Sequence, residues 1–226
     1  MLAACSSGEK AAEPTASPTP TLFVATPTAA GIANPPQTAQ AGAGTATPRT
    51  RAEAFLRRIA PTDADVPAGF TAQPPTAQDP ASLGPAGAMA VLTHTSSFDG
   101  PSDGAIRGVR HTGYAFTDVP AAQQGFREIA ASLPAAARDT IHLPNPMVEV
   151  MDGLQLGEER AAWRASAPAQ GSGGAEPVVW AVAVRRGAAV VTLLVSGTDA
   201  APETFGQELA QRLDQRTAAA LPTAWP

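Results

Sequence analysis

The sequence predicts an α+β domain, an antiparallel sheet of about five strands with two main helices packed on one face. Three observations lead there. The longest apolar run, Val178 to Ser196, is interrupted by Arg185-Arg186-Gly187. Two β-branched stretches flanking a glycine read as a β-hairpin, because glycine adopts the positive φ that a tight turn needs. Gly108 to Phe116 alternates between two faces, and Arg160 to Ser166 reads as a further strand carrying Trp163. Finally, Phe126, Ile129, Ala130 and Leu133, and later Phe205, Leu209 and Leu213, recur at helical spacing.

The chain has 226 residues with 23 Pro and 20 Gly, and the length beyond one ordinary domain lies at the front. Residues 6–49 are mainly Ala, Thr, Pro, Gly and Ser, with one apolar cluster at Leu22-Phe23-Val24. Such a stretch cannot bury enough surface to fold and is expected to be a disordered linker. Its Thr-Pro steps favour extended polyproline conformations, so it spans roughly 35 Å as a coil and at most about 130 Å fully extended.

Residues 50–226 are expected to form the single domain. Thr50 and Glu53 have the spacing of a capping box and open a short helix with Phe55, Leu56 and Ile59 as its stripe, ended by Pro61. Asp63 and Asp65 suggest a calcium loop, but Val66-Pro67 break that pattern. A first strand is expected around Phe70 to Gln73, a short helix after Pro85 within Ala81 to Thr93, and a loop from Ser96 to Gly104. Asp118 caps the next helix, with Pro120 in its first turn and Pro134 ending it. Met147 to Val150 makes a short strand, Leu156-Gly157-Glu158-Glu159 a turn, and Gln170 to Gly174 a loop.

In the hairpin, a turn at Arg186-Gly187 pairs Val184 with Ala189, Val182 with Val191, Trp180 with Leu193 and Val178 with Val195. These fall on one apolar face; Ala183, Ala181, Val179, Val190, Thr192 and Leu194 fall on a smaller, more polar one. The run is not a membrane span, since two central arginines would cost about 2.5 kcal/mol each. Thr198 or Asp199 caps the last helix, whose stripe is expected to cover the apolar face of the hairpin.

The formal charge of -5 gives no overall basic field for nucleic acid or an anionic membrane. His94, His111 and His142 lack metal-ligand spacing, no G-x-S-x-G elbow occurs, and Gly171 to Gly174 is too short for a phosphate loop. The adjacent Glu158 and Glu159 point apart on a turn. No cofactor, metal site or catalytic group is therefore predicted. A sheet face with Tyr114, Trp163 and Arg164 is the first candidate for a ligand groove.

The single cysteine lies in Leu2-Ala3-Ala4-Cys5-Ser6-Ser7-Gly8, which resembles the lipobox of bacterial lipoproteins. The resemblance implies that Cys5 carries a diacylglycerol and becomes the mature N-terminus. Residues 1–5 are then the remnant of a signal peptide whose charged and apolar parts would precede Met1. Two or three acyl chains make such a membrane anchor effectively permanent. From Thr50 to Ala220, the order of Tyr114-Ala-Phe116, the helix Pro120 to Leu133, the Leu-Gly-Glu-Glu turn, the Arg-Arg-Gly hairpin and a final helix resembles small exported domains of uncharacterised bacterial lipoproteins, of broadly PsbP-like type. It implies a lipid-anchored, extracytoplasmic lipoprotein with a non-catalytic binding, sensing or envelope-assembly role toward an extracellular protein or small ligand. The alternative is an exported hydrolase with a dispersed site. A pocket joining His111 or His142 to a carboxylate and a hydroxyl would favour the hydrolase; a sheet face closed by helices would favour the binding module.

Overall fold

The computed structural model of the chain describes residues 46–78, 90–142, 145–169 and 174–224. The chain divides into two units, Met1–Ala43 and Gly44–Pro226, and every described residue falls in the second. Cys5, the linker to position 45, the helix expected after Pro85 up to position 89, and residues 170–173 lie outside the described residues.

The elements are α1 (Pro48–Ile59), a short 3-10 helix (Asp63–Asp65), β1 (Thr71–Ala72), β2 (Thr76–Gln78), β3 (Ala90–Asp99), β4 (Ile106–Phe116), α2 (Val119–Ile141), β5 (Met147–Met151), β6 (Glu159–Ser166), β7 (Pro177–Arg186), β8 (Ala189–Thr198) and α3 (Ala201–Ala224). The strands make one antiparallel sheet in the order β1-β3-β4-β8-β7-β6-β5, with β2 also paired to β3. The fold is α+β, with eight strands and three α-helices among the described residues rather than about five strands and two helices. Much of the difference is β3. Ser96 to Asp99, expected in a loop because serine and aspartate favour turns, lie in this strand, all four paired to β4 and the last two also to β1.

The helices also pack on both faces, not one. On one face α2 lays Phe126, Ile129, Ala130 and Leu133 against Phe116, Val179, Ala181, Ala183 and Val190. On the other, α3 lays Leu209 and Leu213 against Trp180, Val182, Val184, Leu193 and Val195. Beside it, α1 buries Phe55, Leu56 and Ile59 against Leu92, Ala115 and Val191. The stripe of the last helix thus covers the apolar face of the hairpin as expected. The second face, rich in alanine, is buried as well, because small side chains let α2 approach closely. Both α2 and α3 have a glycine over a large aromatic. A Cβ at Gly125 would lie 2.3 Å from Phe116, and one at Gly206 would lie 2.3 Å from Trp180.

The hairpin turns at Gly187-Ala188, with Gly187 at φ 54°. Arg186 opposes Ala189, Val184 opposes Val191 and Trp180 opposes Val195. The register is two residues from the expected one, and because side chains alternate with period two, every residue keeps its predicted face.

Two boundaries differ. Thr47, not Thr50, caps α1, its Oγ1 accepting from the Thr50 amide at 3.2 Å, with Pro48 in the first turn. Glu53 pairs with Arg57 at 2.7 Å instead of reaching back. Pro134 lies inside α2, which continues to Ile141 through Ala135, Ala136 and the buried Ala137; strong helix formers and burial outweigh the lost backbone bond. Asp118 does cap α2, accepting from the Ala121 amide at 2.8 Å. Asp199 accepts from the Glu176 amide at 3.0 Å, ahead of β7.

Asp65 joins the 3-10 helix to α3. Its carboxylate receives Arg216 at 2.8 Å and the Thr62 amide at 2.8 Å. Burial pushes this carboxyl up, but the hydrogen bonds from Arg216 and Thr62 outweigh it and hold it below the usual range. Asp65→Ala is expected to cost about 2–3 kcal/mol, between the limits for exposed and buried pairs. Urea unfolding measures this, and an unchanged midpoint would mean that solvent screens the pair.

Candidate functional site

The α2 face of the sheet changes character along its width. Under α2, the positions from β6 and β7 are Ala165, Val179, Ala181 and Ala183. Toward β4 and β3, beyond the helix, the same face turns to hydroxyls and charge. Cross-strand rows set out this floor: Asp99, Gly108 and Ser196; then Ser97, Arg110 and Leu194; then Thr95, Thr112 and Thr192. The C-terminal half of α2 stands over it as a wall of Ile129, Ser132, Leu133, Ala136, Asp139 and Thr140, ending at His142 in the left-handed conformation. Floor and wall enclose a cleft of about 590 Å3.

The floor hydroxyls are held by one another and by the strands. Thr95 Oγ1 and Thr112 Oγ1 are 3.1 Å apart, and Thr192 Oγ1 and Ser196 Oγ each lie 3.5 Å from carbonyls of β4. Tyr114 closes one end. Burial pushes its phenol up, offset in part by a hydrogen bond with Thr192. Asp99 accepts from Gln73 Nε2 at 2.7 Å. Arg110 and Asp139 have no hydrogen-bond or ion-pair partner among the described residues. The lining sets two carboxylates against one guanidinium, so it carries little net charge.

The three residues of the predicted groove are not brought together. Tyr114 lines the cleft. Trp163 shares its face but packs into the core beneath α2, opposite Ala181. Arg164 points to the other face, opposite Trp180, and holds Glu176 at 3.1 Å. The floor residues Ser97, Thr112, Thr192 and Ser196 escape the sequence reading. One signal was present, in that Thr192 and Ser196 interrupt an otherwise apolar strand.

The other sequence candidates have structural occupations. Arg185 engages both Glu158, at 2.6 Å, and Glu159. Glu158 also accepts from the Gly187 amide, tying the start of β6 to the hairpin tip. Asp214 on α3 accepts from Arg186 at 2.7 Å and from the Gly157 amide at 3.1 Å. His94 and His111 are buried on the α1 face, away from the cleft. His142 does share the cleft with Asp139, Ser132 and Thr140. However, Ser132 and Thr140 each donate to a carbonyl of α2 at 2.8 Å, so neither hydroxyl is aimed at the imidazole. Among the described residues no group of three or more metal-ligating side chains converges, and no helix is long and apolar enough to cross a membrane.

No protein family and no curated protein matches the chain. Among solved structures it is similar to the extracellular domain of PknH from Mycobacterium tuberculosis, at 12% identity over 74% of this chain and 96% of that one, with a TM-score of 0.47.

Proposed function

We propose that the chain is a lipid-anchored, extracytoplasmic binding module, tethered through Cys5 and taking an uncharged, hydrogen-bonding ligand in the cleft between α2 and strands β3, β4 and β8. One observation carries the binding half. The sheet face turns from alanine and valine to serine, threonine and arginine where α2 ceases to cover it. A cleft of this volume suits a small ligand. Its hydroxyls offer both donors and acceptors, while Ile129, Leu133 and Leu194 supply apolar contact. With two carboxylates against one guanidinium, the lining disfavours an anionic ligand and offers no strong field for an ionic one. The anchoring half rests on the Leu2-Ala3-Ala4-Cys5 lipobox and the linker composition.

The hydrolase reading has His142 beside Asp139 in the same cleft. Its weakness is that nucleophilic catalysis needs a hydroxyl within reach of a base, and the two nearest hydroxyls on α2 are turned into the helix backbone.

Two measurements test the proposal. Intact mass of the protein expressed with its upstream codons should show a mature chain beginning at Cys5 with a diacylglyceryl increment; an unmodified soluble chain starting at Met1 would remove the anchor. For the cleft, uncharged sugars, polyols and amides are screened by thermal shift on the full chain and on Thr112→Trp, which fills the floor. A true ligand at about 100 times its Kd stabilises by about 2.7 kcal/mol, or roughly 5–10 °C at this size. It should do so only for the native sequence. Equal shifts in both proteins would place the binding elsewhere.

A further inference from the structure

The net negative charge hides a local concentration of the opposite sign. Helix α1 carries Arg49, Arg51, Arg57 and Arg58 against one acidic residue, Glu53. That is +3 within twelve residues of a chain whose total is -5, which leaves -8 on everything else. All four arginines are exposed, and the opposite side of the helix buries Ala52, Phe55, Leu56 and Ile59. At 3.6 residues per turn the exposed arc runs in the order Arg49, Glu53, Arg57, Thr50, Ala54, Arg58 and Arg51, with Arg57 and Thr50 near its centre and Arg49 and Arg51 at its two edges; Glu53 pairs with Arg57 within it. Arg57 and Arg58 therefore project toward a flat surface laid on this face, and the long stems of Arg49 and Arg51 can reach it from the edges.

From this arrangement we infer that the exposed face of α1 docks on the anionic headgroups of a phospholipid bilayer. Charge complementarity selects the occupant. The apolar side of α1 is already used by the core, so the helix does not insert; it rests on the surface through its arginines. Each basic residue beside an anionic surface multiplies partitioning roughly five-fold, so three net charges give on the order of 100-fold. That is weak for a freely diffusing protein. It suffices for a tethered one, because a flexible linker of this length holds its domain at roughly millimolar effective concentration. Only this last step rests on the anchoring proposed above. With α1 at the membrane, the first element of the domain faces the lipid.

The test uses the full chain with an unmodified Cys5, co-sedimented with vesicles of phosphatidylcholine alone or with about 30% phosphatidylglycerol. Binding is expected to the anionic vesicles and to be lost near about 0.5 M salt, where screening shortens to a few Å. The variant Arg49→Gln/Arg51→Gln/Arg57→Gln/Arg58→Gln should bind at least about tenfold more weakly with an unchanged circular-dichroism spectrum. Should that variant misfold, Arg49→Gln/Arg51→Gln supplies the comparison, with an intermediate loss. Equal binding to neutral and anionic vesicles, or a folded variant that binds as well as the native chain, would overturn the inference. Because no lipid is on Cys5 in this assay, its failure leaves the lipidation open to the mass measurement, and the reverse also holds.

Discussion

Between pH 8 and pH 5 the domain is expected to lose about 2 kcal/mol of stability through His111 alone. His111 is fully buried on β4, opposite Ser96 of β3 and Leu193 of β8, and neither ring nitrogen has a partner among the described residues. Burial lowers its pKa from 6.5 to about 3, and the neighbouring His94 and Arg216 add to the shift. His94 is lowered as well, by burial first and then by Arg57, with Glu53 opposing. A depressed histidine means that the unfolded chain binds the proton and the folded one does not. Stability is therefore full above pH 6.5 and falls continuously as pH drops toward the folded value. The paired carboxylates Asp65, Asp214 and Glu158 are also lowered, from their ordinary values of 3.8, 3.8 and 4.5. Their contributions are present above those values and are lost only below them, which leaves the interval from about pH 5 to 6.5 to the histidines.

Two kcal/mol is a large share of the roughly 5–15 kcal/mol available to a domain, and corresponds to about 4–8 °C in Tm at this size. His111→Leu replaces an unpaired imidazole by an apolar group of similar volume among Leu56, Ile59 and Leu193. It is expected to flatten the decline between pH 6.5 and 5 without lowering Tm at pH 8. Thermal unfolding at pH 8, 6.5 and 5 measures both proteins. A native Tm that does not fall, or a variant with the same slope, would show that His111 is hydrated or paired in solution.

The second large effect concerns Gly206. It lies within α3, where alanine would ordinarily add about 1 kcal/mol of helix stability. Its Cβ would instead stand 2.3 Å from Cε3 of Trp180, a fully buried side chain with no room to retreat. The cost of forcing apart a packed interior is typically about 1–3 kcal/mol. Gly206→Ala should therefore destabilise by up to about 2 kcal/mol net, the clash outweighing the propensity gain. Trp180→Phe opens space at the same contact and removes an indole N–H that has no partner among the described residues. Combined with it, Gly206→Ala should cost less than it does alone, a coupling of about 1 kcal/mol or more in a double-mutant cycle. Additive effects would mean that α3 shifts as a body and does not press on the ring.

The sequence was informative where one local rule acted without competition. Asp118 before Val119-Pro120 could cap a helix in one way, and does. The alternation in Val178 to Ser196 assigned every hairpin residue to its face, and a turn misplaced by one position left that assignment intact because a two-residue slip preserves parity. It was uninformative where a residue type serves two structures. Ser96 and Ser97 favour turns by themselves and become part of a strand because β4 supplies ladder partners. Pro134 breaks an isolated helix but is tolerated in one whose apolar stripe is already paid for by burial.

The candidate site belongs to this second class. Thr112 and Thr192 lie 80 residues apart, and each alone is an ordinary strand threonine. Tyr114, Trp163 and Arg164 were grouped by type, yet a strand sends neighbours such as Trp163 and Arg164 to opposite faces. The sequence by itself determined the period of β4, β6 and the hairpin strands, the apolar stripes of the helices, the cap of α2 and the faces of the hairpin. Only the tertiary structure decided that helices cover both faces and that α2 leaves the hydroxyl-bearing part of β3, β4 and β8 open. Periodicity is carried by adjacent residues, whereas the width a helix leaves uncovered depends on side-chain volumes across the whole sheet.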